Sequence, residues 1–124
     1  MERKITKIDI ITRPNKLEEL KDALNKIGVL GMTVSQVYGC GLQRGHKEIY
    51  RGKEYDVNLV PKIKLETVVC EIPVEKVLEV AQKVLRTGQF GDGKIFVYEL
   101  SDAVRIRTGQ RGAEAIMDIP GEKI

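Results

Sequence analysis

The chain has 124 residues, of which 42% are apolar and 31% charged, with a formal net charge of +3. That is enough for one domain with a buried core, and too little positive charge to demand a nucleic-acid partner. No apolar run reaches membrane-spanning length, and no signal-peptide h-region follows Met1-Glu2-Arg3-Lys4, so a cytoplasmic protein is expected. Cys40 and Cys70 form neither a CxxC nor a disulfide framework, which suits a reducing compartment. The one imidazole, His46, stands at an unrelated point in the sequence, which argues against thiol catalysis.

Lys4 to Thr12 reads as the first strand, with Ile5, Ile8, Ile10 and Ile11 giving apolar residues on both faces. Arg13-Pro14 ends it. Asn15 is the candidate N-cap of a first helix, with Glu18 three residues on as in a capping box. Leu17, Leu20, Leu24 and Ile27 recur at helical spacing, and Gly28 supplies the stop. Met32 to Tyr38 reads as the second strand. From Gly41 to Val57 the chain is glycine-containing, polar and without periodicity, so a long loop over about 41–57 is expected, of the kind that is mostly functional. Tyr50 and Tyr55 beside Arg51 and Lys53 suggest contact with a partner protein.

Val57, Leu59, Ile63, Leu65 and Val69 alternate in a long third strand that sets Lys62, Lys64 and Glu66 on the other face. Pro61 marks an edge or a bulge there. Pro73 opens a second helix carrying Val74, Val77, Leu78, Ala81, Val84 and Leu85, closed by Gly88. Ile95 to Tyr98 reads as the fourth strand. Ala103 to Arg107 reads as a short fifth, with Val104 and Ile106 inward and both arginines outward. The expected fold is α+β: a βαββαβ sandwich of ferredoxin-like order with both helices on one face of the sheet. The uncovered face predicts an oligomer. The domain is expected over 1–112, with a tail over 113–124.

Between the second helix and the fourth strand lies Thr87-Gly88-Gln89-Phe90-Gly91-Asp92-Gly93-Lys94. Three glycines in six residues describe a backbone that bends tightly and leaves its N–H groups bare, which suits a phosphate. Gly88, Gly93 and Lys94 have Walker A spacing, but Ile95 stands where Ser or Thr would hold Mg²⁺. The loop also follows a helix and opens a strand, the reverse of a P-loop. Gly41-Leu42-Gln43, Lys62, Gly91-Asp92-Gly93-Lys94, Arg105 and Arg107 are the groups to gather into one anion site. Each charge-assisted bond contributes about 1.5–3 kcal/mol, so three or four support micromolar nucleotide binding after the costs of association. No paired carboxylates and no Ser-His pairing offer a base or nucleophile, so binding without turnover is the expectation, not an enzyme.

The residues from Thr87 to Leu100 resemble the C-terminal signature of the PII nitrogen-regulatory signal proteins, and Tyr50-Arg51-Gly52-Lys53-Glu54-Tyr55 resembles their loop signature. Gly31-Met32-Thr33-Val34, Pro61-Lys62, and Val104 to Gly109 extend the similarity over nearly the whole chain. The resemblance implies a homotrimer with ATP or ADP in three clefts between neighbours. It assigns the phosphates to Gly91, Asp92, Gly93 and Lys94, with Gly41, Leu42 and Gln43 beside them. Arg105 and Arg107 would reach in from the adjacent subunit, and Thr33, Glu66 and Val68 would line the nucleoside side. Gln43 would coordinate Mg²⁺ beside 2-oxoglutarate, which also meets Gly91 and pairs its distal carboxylate with Lys62.

The resemblance further implies that the long loop, the family's T-loop, docks an ammonium transporter, glutamine synthetase or a nitrogen regulator. The membrane is then reached only through a transporter. Tyr55 matches a tyrosine that is nucleotidylylated in some members. Leu42 stands in place of an arginine common beside the γ-phosphate, and Lys53 in place of Ala or Ser. The alternative is a single-strand RNA-binding module on the same fold, with Phe96 and Tyr98 as stacking rings. It lacks a partnering aromatic motif on the first strand.

Overall fold

A computed structural model describes residues 4–40, 47–50, 53–56 and 59–117. Strand β1 (Ile5–Thr12) leads through a 3-10 turn (Pro14–Lys16) into helix α1 (Leu17–Lys26). Strand β2 (Thr33–Cys40), the short strands β3 (Lys47–Tyr50) and β4 (Lys53–Asp56), and the long strand β5 (Leu59–Val69) follow. Helix α2 (Val74–Leu85), strand β6 (Lys94–Leu100) and one helical turn, α3 (Ala113–Ile116), complete the chain. The main sheet has the order β2-β5-β1-β6, and every neighbouring pair is antiparallel. The α+β expectation and the four long strands are therefore seen.

The sheet register explains the layers. Ile8 and Ile10 of β1 stand opposite Thr67 and Leu65 of β5 and Val97 and Ile95 of β6. Opposed residues share a face, and this one receives Leu20 and Leu24 of α1 and Val77, Ala81 and Leu85 of α2. A ten-residue helix is marginal alone. Burial of Leu20 and Leu24, at about 1.5–3 kcal/mol each, is what holds α1 in place. Its C-terminus closes as foreseen: the Gly28 amide donates to the Asn25 carbonyl and the Val29 amide to that of Leu24, the Schellman pair.

Several details differ from expectation. Asn15 does not cap α1: it lies within the 3-10 turn, and Lys16 takes the cap position with no side-chain bond. Gly88 does not close α2, because Arg86 already turns the chain into an extended conformation. Pro61 is not on an edge strand, since β5 lies between β2 and β1. It is tolerated because the β1 pairing ends at Thr12 opposite Ile63, which leaves Pro61 with only β2 alongside. The long-loop stretch is not wholly irregular, because β3 and β4 pair antiparallel from Lys47 opposite Asp56 to Tyr50 opposite Lys53.

The fifth strand does not form. Among the described residues, Val104 makes only an isolated bridge to Arg111, and the chain between them is a tight turn. The Arg105 amide donates to the Gln110 carbonyl and the Gly109 amide to that of Arg105. The expected facing is also reversed, for Ile106 is 98% exposed while Arg105 is half-buried.

Candidate functional site

The face of the sheet away from the helices carries the candidate residues. By register it presents Lys7, Asp9 and Ile11 of β1, Thr33 and Val37 of β2, Lys62, Lys64, Glu66 and Val68 of β5, and Lys94, Phe96 and Tyr98 of β6. Its centre is ionic. Asp9 is 2% exposed and lies 3.5 Å from Lys7 Nζ and 3.7 Å from Lys64 Nζ. Glu66 lies 3.0 Å from Lys7 Nζ and 3.5 Å from Lys64 Nζ. The bond from Lys7 is the main reason the Glu66 carboxyl sits below its ordinary range and the Lys7 amine above its own. The Lys7 ammonium also stands over the Tyr98 ring, 5.3 Å from its centroid.

At one end of this face is the glycine loop. Its organiser is Asp92. One carboxylate oxygen accepts from the Thr87 amide at 2.8 Å and the Gly88 amide at 2.9 Å. The other accepts from the Thr87 hydroxyl at 2.5 Å and from Arg13 Nη1 at 2.6 Å. The Thr87 hydroxyl bond, followed by that from Arg13, holds the Asp92 carboxyl well below the usual carboxylate range. The first half of the loop is therefore not bare, as the glycine content alone suggested. Asp92 closes the loop on itself.

Three side chains tie the second half to the sheet. Arg13 Nη2 donates to the Phe90 carbonyl at 2.8 Å, Lys62 Nζ to the Gly91 carbonyl at 2.8 Å, and Thr12 Oγ1 to the Asp92 carbonyl at 2.9 Å. Gly93 then enters β6 against the main chain of β1. A Cβ on it would stand 1.8 Å from the Ile11 carbonyl oxygen, and its φ is +102°. Only glycine fits there. Lys94 follows at the start of β6, exposed and opposite Ile11.

At the other end, Thr33, Glu66 and Val68 line an open cleft of about 850 Å³ together with Lys7, Arg105 and Met117. Arg105 Nη2 donates to the Met117 carbonyl, which draws α3 and the residue after it to this cleft. Arg107 lies apart, exposed within the tight turn. That turn is closed by Asp102, whose carboxylate accepts from the Ala103 amide at 2.8 Å, the Gly112 amide at 3.1 Å and the Arg111 guanidinium. The Arg111 bond is the chief reason the Asp102 carboxyl lies below its ordinary value and the Arg111 guanidinium above its own.

One chain thus gathers the candidate residues into two groups. Gly91, Asp92, Gly93, Lys94 and Lys62 form the first, and Thr33, Glu66, Val68 and Arg105 the second. Lys62 and Val68 share β5 and are about 20 Å apart at roughly 3.3 Å per residue. Gly41, Leu42, Gln43 and the side chain of Tyr55 lie outside the described residues. Thr12 and Arg13 were not singled out from sequence, because their loop partners lie 80 and 79 residues away and only the strand order brings the end of β1 to the loop. Thr87, five residues from Asp92, reads in the sequence only as the first residue of the loop. Among the described residues, no three His, Cys, Asp or Glu side chains stand close enough to hold a metal ion. No helix among them is long and apolar enough to cross a membrane.

Comparison with known proteins gives a family. A family model described as nitrogen regulatory protein P-II matches residues 5–110. A nitrogen regulatory PII-like protein of Bacillus subtilis (strain 168) is 50% identical over 116 residues, covering 94% of this chain and 100% of that relative. The solved structure of a B. subtilis GlnK–ATP complex superposes with a TM-score of 0.77 at 47% identity, covering 93% of this chain and 98% of that one. A crystal structure of Arabidopsis thaliana PII bound to citrate gives 0.72 at 41% identity, covering 91% and 92%.

Proposed function

The chain belongs to the nitrogen regulatory protein P-II family, and on that premise we propose that it is a non-catalytic cytoplasmic signal protein. It binds ATP or ADP, and 2-oxoglutarate with Mg-ATP, in clefts between subunits of a homotrimer of ferredoxin-like domains. The observation that carries the reading is the separation of two half-sites on one sheet face. A nucleotide laid along one open sheet face, between groups about 13–20 Å apart, stays bare to water on its other side, whereas ligand sites bury most of their ligand. Two neighbouring copies, set so that the glycine loop of one meets the Thr33–Val68 cleft of the next, make one complete site. Phe96 at 43% exposed and Tyr98 at 45%, on the uncovered face, are in keeping with such packing. The GlnK–ATP complex supports the nucleotide as ligand.

In this reading the phosphates lie against Gly91, Asp92, Gly93 and Lys94, near Gly41, Leu42 and Gln43. The nucleoside lies against Thr33, Glu66 and Val68. Arg105 and Arg107 come from the adjacent subunit. Asp92 acts by shaping the loop, since its carboxylate is already committed to Thr87, Gly88 and Arg13. Mg²⁺ is held by Gln43 and by oxygens of the phosphates and 2-oxoglutarate. A cation between a triphosphate and a dicarboxylate removes their repulsion, so each ligand favours the other. The position of Lys62 Nζ at 2.8 Å from the Gly91 carbonyl supports the shared assignment of Lys62 and Gly91 to 2-oxoglutarate. The domain runs over 1–112. The loop over about 41–57, with Tyr55 as a modification site, reports the ligand state to an ammonium transporter, glutamine synthetase or a nitrogen regulator.

Calorimetric titration of the full chain with ATP, with and without Mg²⁺ and 2-oxoglutarate, tests the proposal. ATP is expected to bind at least about fivefold more tightly with both present, the lower end of ordinary coupling. Gln43→Ala is expected to abolish that gain and leave ADP binding intact. Absence of coupling, equal loss of ADP binding, or a monomeric mass in solution would contradict it. Tight, salt-sensitive binding of single-strand RNA would favour the alternative.

A further inference from the structure

Three consecutive carbonyls of the glycine loop, those of Phe90, Gly91 and Asp92, each accept a bond from a side chain outside the loop: Arg13, Lys62 and Thr12. The described peptides are trans. In a trans peptide the N–H of the next residue points opposite to the carbonyl. Holding these three oxygens therefore fixes the directions of the Gly91, Asp92 and Gly93 amides. The same bonds engage the partial negative charge of the carbonyls with two cations and a hydroxyl, so the loop's positive end is what it offers.

We propose that Thr12 and Arg13, together with Lys62, are positioning residues that pre-set the Gly91, Asp92 and Gly93 amides to receive the phosphate chain of a nucleotide. The inference rests on the nucleotide reading above and adds to it Thr12 and Arg13, which touch no ligand themselves, and a second task for Lys62. Thr12 is its sharpest element. It is 1% exposed, on the helix-covered face among isoleucines, where a hydroxyl contributes nothing to packing that a methyl group would not. That hydroxyl donates to the loop. Arg13 adds a two-pronged clamp, one nitrogen on the Asp92 carboxylate and the other on the Phe90 carbonyl. A loop ordered before the ligand arrives loses less entropy on binding.

Calorimetry with ATP, inorganic tripolyphosphate and adenosine, on the full chain and on Thr12→Val, Thr12→Ser and Arg13→Lys, tests it. Thr12→Val keeps the shape and removes the donor. It is expected to weaken ATP and tripolyphosphate by roughly tenfold, the scale of one well-placed hydrogen bond, while adenosine is unchanged. Thr12→Ser restores the hydroxyl and is expected to bind within about twofold of the parent. Arg13→Lys, on a partly exposed residue that leaves the core intact, keeps the charge but not both prongs and is expected to lose about fivefold. ATP binding by Thr12→Val equal to the parent, a Thr12→Ser as weak as Thr12→Val, or an equal loss of adenosine and ATP would each overturn the positioning role alone. A parent chain that binds no ATP would overturn the nucleotide reading and this inference with it.

Discussion

The glycine loop and the arginine turn are built from the same parts and held in different ways. In each, one aspartate accepts two backbone amides and one guanidinium: Asp92 from Thr87, Gly88 and Arg13, and Asp102 from Ala103, Gly112 and Arg111. Arg13 lies 79 residues from its aspartate, whereas Arg111 lies 9 residues from its own. Thr12 and Lys62 tie the first loop at separations of 80 and 29 residues. The geometry of the glycine loop is thus a property of the whole sheet. That of the arginine turn belongs mainly to its own sequence, with a bond from Arg105 to the Met117 carbonyl tying it to the C-terminal segment. The proposed phosphate site between two subunits would be served by such a division: one half fixed by the sheet to define the ligand position, and a self-contained half to reach it from a neighbour.

Matched glycine substitutions offer the strongest way to break this contrast. Gly93→Ala places a methyl group 1.8 Å from the Ile11 carbonyl oxygen at a φ of +102°. Neither main chain is free to move, since Ile11 and Lys94 are paired in the sheet. The left-handed strain of about 1–2 kcal/mol and overpacking of about 1–3 kcal/mol add, so urea unfolding is expected to give a loss of about 2–5 kcal/mol. Gly109→Ala in the arginine turn has a φ of +75° and nothing within 4 Å of its added Cβ. Only the strain term remains, about 1–2 kcal/mol. Equal losses at the two sites would remove the claim that the first loop alone is wedged into the sheet.

Acid titration gives a second, smaller contrast. Both aspartates have folded-state pKa values depressed below the unfolded range, Asp92 by more, chiefly through the Thr87 hydroxyl bond, which has no counterpart at Asp102. A depressed carboxyl contributes stability that is fully present above its unfolded pKa and is lost as pH falls through the folded one. Asp102 is therefore expected to protonate first on acidification and Asp92 only in stronger acid. Carboxyl carbon shifts followed by NMR from pH 6 downward would read the order. The reverse order would place the tighter network in the turn.

Periodicity made the two helices and the four long strands legible, because each buries one apolar face whose spacing survives in the sequence. The glycine loop was legible from composition alone. What the loop uses to hold its shape was not. Thr12 looked like the last residue of a strand and Arg13 like its terminator, and neither carries a local signal of a partner beyond residue 80. Val104 and Ile106 misled in the opposite direction. Their alternation matches a strand, but the Arg105 amide donates to the Gln110 carbonyl and the Gly109 amide to the Arg105 carbonyl, which folds the segment into a turn that exposes both. Strands β3 and β4 escaped for a related reason: they lie in a polar stretch with no apolar alternation, where backbone pairing leaves no pattern to find.

The smallest effect is expected where the arginine turn is held by its exposed ion pair. Arg111 and Asp102 are 68% and 37% exposed at their side chains, so water competes for both and screening leaves little of their attraction. The backbone bonds from Arg105 to Gln110 and from Gly112 to Ala103 remain when the pair is removed. Arg111→Ala is therefore expected to leave the melting temperature within about 2 °C of the parent. ATP affinity should stay within about threefold, since Arg105 and Arg107 keep their places through those bonds. Thermal melting and calorimetry on this one variant check both. A loss of affinity comparable to that of Thr12→Val would mean that the turn, too, depends on a single fixed clamp, and the distinction between the two loops would fall.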